Sequence, residues 1–139
     1  MKVELKLLQI HGDDRGGLIS LEENINVPFT IRRVYYLMDT KQGVRRGLHA
    51  HISLTQMVMC VRGRCNFILD DGEERIEISL NNPAQGLIVP PMVWREMYDF
   101  SADCVLMVLA DQPYDETDYI RGYDDFLKKA AVIRNAAIV

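Results

Sequence analysis

Two histidines separated by one residue, His49-Ala50-His51, lie in a stretch otherwise made of apolar residues, glycine and arginine. On a β-strand, residues i and i+2 face the same way, so the two imidazoles project side by side with Cα atoms about 6.5–7 Å apart. With unperturbed pKa values of roughly 6.5, such a pair suits proton transfer near neutral pH, one ring as base and the other as acid. A single inward histidine is ordinarily a hydrogen-bonded core residue; two in register inside an apolar β-domain point to chemistry. Proton transfer alone drives a reaction when the substrate supplies its own carbonyl, which acidifies the neighbouring C–H and yields an enediolate that a nearby cation stabilises. Arg95, on another strand-like segment, is a candidate for that cation.

The elements that must hold these residues read as strands. Candidate segments cover residues 2–10, 17–22, 30–39, 47–52, 55–62, 65–70, 74–79, 86–90, 94–99 and 104–110, bounded by turn residues such as Asp13-Asp14-Arg15-Gly16-Gly17 and Asn81-Asn82-Pro83. Asp71-Gly72 gives the clearest hairpin signal. Only the tail changes period: Tyr119, Tyr123, Phe126, Ala130 and Ile133 recur at helical spacing, with Thr117 or Asp118 available as N-cap. The pattern predicts an all-β sandwich or barrel followed by one C-terminal helix.

A chain of 139 residues accommodates one domain, placed over residues 1–139. The net charge of −4 argues against a nucleic-acid partner. The longest apolar run, Cys104 to Ala110, is far short of the roughly 20 residues that span a bilayer, and the N-terminus alternates charged with apolar residues instead of forming a signal core. Cys60, Cys65 and Cys104 sit in apolar runs and read as reduced core thiols, which suits the cytoplasm.

The spacing Gly43-x5-His49-x-His51-x4-Gln56-x6-Gly63 resembles the first cupin motif, with Gln56 in place of its glutamate. Gly86, Pro90 and Arg95 resemble the second, with Met92 where glycine is usual and arginine where the last histidine is usual. Metal-binding cupins use three histidines and a carboxylate. Here one ligand position is a neutral amide and another a cation with no lone pair to donate, so the reading is metal-free and without cofactor. Asp13-x-Arg15-Gly16, Arg33-Val34-Tyr35-Tyr36 and Arg46-Gly47-Leu48-His49 are similar to segments of cupins acting on dTDP-linked 4-keto-6-deoxy-sugars. His49-Ala50-His51, Trp94-x-Glu96-Met97 and the run Tyr114-Asp-Glu-Thr-Asp-Tyr-Ile-Arg121-x-Tyr123-Asp resemble the sugar-nucleotide 3,4-ketoisomerases over roughly residues 10–127.

That resemblance implies a cupin jelly-roll β-sandwich, a homodimer with exchanged N-terminal strands, and dTDP-4-keto-6-deoxyglucose as substrate. It gives the proton transfers to His49 and His51, with His51 preferred as the C3 base and His49 as the acid. Arg46 and Arg95 become substrate-contacting residues, as does Arg121 of the C-terminal run, and Arg15 and Arg33 become candidates for the diphosphate. Of Tyr35 and Tyr36, which point to opposite faces of one strand, Tyr36 is taken as the pocket residue. Gln56 has the opposite parity from the histidines, so its place depends on the intervening turn. Arg95 resembles the members that form the gluco product and Arg15 those that form its galacto epimer, so the configuration at C4 stays open. The alternatives are a 3,5-epimerase and a sugar-nucleotide-binding cupin without turnover.

Overall fold

Apolar residues alternate along Val58 and Cys60, along Cys65, Phe67 and Leu69, and along Leu106 and Val108, and a two-residue period places each set on one strand face. Burying these faces against each other produces two stacked antiparallel sheets. The computed structural model describes residues 1–137. Residues 138 and 139, the end of the expected domain, lie outside the described residues.

One sheet runs β1 (Glu4–Leu7), β9 (Gln85–Val89), β6 (Gln56–Arg62), β11 (Val105–Ala110), β4 (Arg33–Leu37). The other runs β12 (Tyr119–Ile120), β5 (Arg46–His51), β10 (Trp94–Tyr98), β7 (Cys65–Asp70), β8 (Arg75–Leu80). A hairpin of β2 (His11–Asp13) and β3 (Gly16–Leu18) stands apart, and helix α1 (Tyr123–Ala136) follows β12. The chain is an all-β jelly-roll sandwich with a C-terminal helix.

The first sheet is buried on both faces at its centre. Met57 and Met59 of β6, Ile88 and Leu109 pack beneath Leu8, Val27 and Phe29, while their alternate neighbours face the central core. This explains why β6 reads as a continuous apolar run. The second sheet carries α1 on its outer face, where Phe126 and Ala130 meet Ala50, Trp94 and Ile120. Polar contacts lock this third cluster: the Tyr123 hydroxyl donates to Asp70 at 2.7 Å, and buried Glu96 accepts from Trp94 Nε1, Arg45 and Arg75 at 2.9, 2.9 and 2.6 Å.

Seven of the ten candidate strand segments match observed strands within two residues at each end, whereas β1, β3 and β4 are shorter than their patterns suggest. The short strands β2 and β12 were not anticipated. The helix begins later than its apolar spacing suggested, with Gly122 as N-cap, because Tyr119 is in β12 and Asp118 is engaged elsewhere. The three thiols are buried and free.

Candidate active site

Between the sheets opens a cavity of about 490 Å³. His49 and Arg95 enter it from the second sheet; Tyr35, Gln56 and Val108 enter from the first. Four arginines border it, Arg33, Arg46, Arg95 and Arg121, which makes the cavity cationic in a chain whose net charge is −4. Such a surround fits a diphosphate, which guanidinium groups bind through paired hydrogen bonds.

The histidine strand is not regular. Arg95 and Glu96 of β10 are consecutive, yet they pair with His49 and Gly47 of β5, so Leu48 is an extra residue in a β-bulge. Gly47 and Leu48 both have positive φ, +83° and +57°, and a Cβ on Gly47 would lie 3.0 Å from the Arg95 carbonyl oxygen. The bulge therefore needs glycine at position 47.

Beyond it the expected alternation holds. The His49 and His51 rings meet edge to face, centroids 4.9 Å apart, and the Tyr119 ring lies 4.9 Å from one and 4.3 Å from the other. Their environments differ. His49 Nδ1 lies 3.0 Å from the Gly47 carbonyl, which fixes the proton on Nδ1 and leaves Nε2 with its lone pair free at the cavity wall. His51 is 1% exposed and does not border the cavity; its Nδ1 lies 3.2 Å from Asp118 Oδ2, and its Nε2 is buried without a partner. Burial, and then the Arg95 charge, hold His49 down to about 4 and His51 down to about 3. Both rings are therefore neutral at pH 7. The sequence reading prefers His51 as base and His49 as acid; of the two rings, His49 is the one that borders the cavity.

Arg95 is 3% exposed. It donates to Gln56 Oε1 at 2.5 Å and to the Val93 carbonyl at 3.0 Å, and burial lowers its pKa to about 10, still charged at neutral pH. Gln56 in turn donates through Nε2 to the Tyr35 hydroxyl at 2.9 Å. Gln56 thus faces the site because the chain leaves β5 after His51 and re-enters in the opposite sheet, which the parity count along one strand did not see. The set does not fit a divalent cation: a donor-only guanidinium stands among these residues, and the Gln56 carbonyl is already committed to it.

The remaining sequence candidates divide. Arg33 lies over the rings of Tyr35 and Tyr114 at 5.3 and 5.8 Å. Arg121 stacks on Tyr119 at 4.2 Å and is held by both Glu116 oxygens at 2.6 and 2.8 Å. Arg46 borders the opening as an exposed side chain. Both tyrosines border the cavity, Tyr36 at its margin, 63% exposed, and Tyr35 turned inward, where its hydroxyl accepts from Gln56. Arg15 is not brought to the cavity of its own chain: it lies on the β2–β3 hairpin, paired with Asp13 at 2.6 Å. The sequence reading missed Tyr119 and Asp118 as site residues, although both belong to the run from Tyr114 to Tyr123 that carries the family resemblance.

Residues 1–131 match the family described as "FdtA: WxcM-like, C-terminal". The chain belongs to this family. It is 58% identical over 121 residues to the TDP-4-oxo-6-deoxy-alpha-D-glucose-3,4-oxoisomerase of Aneurinibacillus thermoaerophilus, covering 87% of each chain. Among solved structures it resembles a 3,4-ketoisomerase from Helicobacter canadensis, with 41% identity, TM-score 0.92 and coverage of 94% and 98% of the two chains. The QdtA sugar 3,4-ketoisomerase from Thermoanaerobacterium thermosaccharolyticum, solved in complex with TDP, gives 43% identity, TM-score 0.91 and coverage of 93% and 94%. Both of these solved structures are named as 3,4-ketoisomerases.

Proposed function

We propose that this chain is a sugar-nucleotide 3,4-ketoisomerase that moves the keto group of dTDP-4-keto-6-deoxyglucose from C4 to C3. The observation that carries the proposal is a neutral His49 with a free Nε2 on the wall of a cavity bordered by four arginines. His49 removes the C3 proton, the electron pair passes into a C3–C4 enediol or enediolate as O4 takes up a proton, and protonation at C4 with loss of the O3 proton leaves the ketone at C3 and a hydroxyl at C4. Arg95 supplies positive charge beside the developing oxyanion. His51, held by Asp118, buttresses the His49 ring. Arg33, Arg46 and Arg121 bind the diphosphate, with Arg121 exchanging Glu116 for phosphate oxygens.

The same reading includes a homodimer with exchanged N-terminal strands, working in the cytoplasm. In the single chain β1 pairs with its own β9 at a sheet edge, where a second copy's strand would find the same register. An apolar groove of about 400 Å³ lined by Leu8, Ile10, Ile19, Met59 and Met107 supports a partner on the outer face of that sheet. Three free thiols suit a reducing compartment.

Incubation with dTDP-4-keto-6-deoxyglucose in deuterated buffer, followed by NMR, tests the reaction. Isomerisation gives solvent exchange with carbonyl migration to C3. Exchange at C3 and C5 without migration indicates epimerisation, and no exchange indicates a binding protein.

A further inference from the structure

Three consecutive residues, Asp118, Tyr119 and Ile120, grip the histidine strand, each in its own way. Asp118 holds His51 through its carboxylate. Tyr119 and Ile120 form β12 at the edge of the second sheet, with Tyr119 opposite His51 and Ile120 opposite Ala50. Residues directly opposite each other in an antiparallel ladder share a face, and successive residues of a strand alternate between faces. Ile120 therefore enters the buried cluster beneath α1, while Tyr119 comes to the cavity side with the histidines. Its ring lies 4.9 Å from the His49 ring and 4.3 Å from the His51 ring, and the Arg121 guanidinium rests on it at 4.2 Å. Arg121 is pinned in turn by Glu116. Without β12, the histidine strand would itself be the edge of the sheet, and both imidazoles would lie along that open edge.

We infer that Tyr119 is a positioning residue of the proposed reaction: its ring closes the sheet edge over His49 and His51, shuts water out from the base and keeps the two imidazoles edge to face. Its part in turnover rests on the ketoisomerase reading, whereas its effect on His49 belongs to the folded chain and needs no substrate. Burial is the first cause of the lowered His49 pKa, ahead of the Arg95 charge, and water reaching the ring would stabilise the imidazolium. The other groups facing His49 pull both ways. Arg95 of β10 and Arg121 beyond β12 disfavour its cation, while the Gly47 carbonyl of its own strand and the Glu116 carboxylate favour it. Arg121 and Glu116 are paired with each other, so their two effects oppose. His51, beside it, is neutral and tied to Asp118. The contacts that set Tyr119 against the histidines and Arg121 are made by its ring, so the ring and not the hydroxyl carries the role.

Imidazole NMR titration of the full chain tests this, with the His49 signal identified by its loss in His49→Asn. Tyr119→Ala is expected to raise the His49 midpoint by at least about one pH unit, and Tyr119→Phe to leave it within about 0.3 of wild type. The acid limb of kcat/KM should move up with the midpoint in Tyr119→Ala and stay in place in Tyr119→Phe. If Tyr119→Ala does not fold, Tyr119→Val decides in the same way, since valine suits a strand and still uncovers part of both imidazoles. An unmoved midpoint in a folded Tyr119→Ala or Tyr119→Val overturns the inference. So does a rise in Tyr119→Phe as large as in Tyr119→Ala, which would transfer the role to the hydroxyl. A wild-type His49 that titrates at its ordinary value of roughly 6.5 overturns it before any variant is made. A midpoint that rises in a variant whose acid limb stays put would leave the ring shielding His49 without serving turnover, and the inference falls there too. Wild-type protein that fails to move the carbonyl defeats the ketoisomerase reading instead, and the titration still shows whether the ring shields His49.

Discussion

His51 Nδ1 lies 3.2 Å from Asp118 Oδ2, a contact joining residues 67 apart in the chain. Asp118 is itself fixed, its other oxygen accepting from the Ser53 amide and hydroxyl at 2.9 and 2.8 Å. A carboxylate held this way sets the tautomer and tilt of His51, and through the edge contact it steadies the His49 ring. Asp118→Asn should lower kcat by about tenfold, less than the roughly 10²–10⁴ expected for losing the base itself, with KM nearly unchanged. Asp118→Glu should recover part of the loss. Equal activity of Asp118→Asn and wild type would leave the contact without a part in turnover.

His49→Asn should remove both turnover and C3 exchange while TDP binding survives, since the amide retains polarity and reach but accepts no proton. Isothermal titration with TDP, paired with the exchange experiment, checks this. A variant keeping more than a tenth of wild-type turnover removes His49 from the base role.

The pH dependence follows from burial. With His49 at about 4, the base stays neutral well below the ordinary imidazole range, so kcat/KM should hold from pH 7 to about 5.5, where a histidine near its unperturbed value of roughly 6.5 is mostly protonated. Stability has its own sign. The unfolded chain binds protons at these histidines below about pH 6.5 while the folded chain resists them, so stability is complete above that pH and declines as the pH falls toward 4. Chemical denaturation at stepwise pH measures the decline. An acid limb in kcat/KM at pH 6.5 would contradict the buried, neutral base.

Exhaustive chelation should leave activity intact, because Arg95 and Gln56 occupy positions a metal would need and are bonded to each other. Activity lost to a chelator and restored by zinc, iron or manganese would overturn the metal-free reading.

At C4, the two sequence cues, Arg95 and Arg15, point to different products. Arg95 borders the cavity, at the position that resembles the gluco-forming members, so the gluco configuration is the expected product. A large H4–H5 coupling in the product identifies it, and a small one indicates the galacto form. A gluco product whose configuration survives Arg95→His would show that residue 95 does not direct the outcome.

What could be read from the sequence was local. The side-by-side histidines follow from strand parity across one intervening residue, and the jelly roll follows from apolar alternation repeated between turns. The same rule left the place of Gln56 open, because residues 52–55 carry the chain from one sheet to the other. Asp118 was read as a helix cap because nothing local reveals a partner in β5, and β12 is too short for any period to register. Tyr35 and Tyr36 are equivalent in composition and differ only in what the facing sheet presents to them.

The additional residue at Leu48 makes the two halves of β5 run out of phase. Side chains three positions apart on a regular strand point to opposite sides, yet Arg46 and His49 both border the cavity. The offset lets one strand serve two addresses, with an anion-binding cation before the slip and a proton acceptor after it. Any search for this site by strict two-residue alternation will find one of them and lose the other.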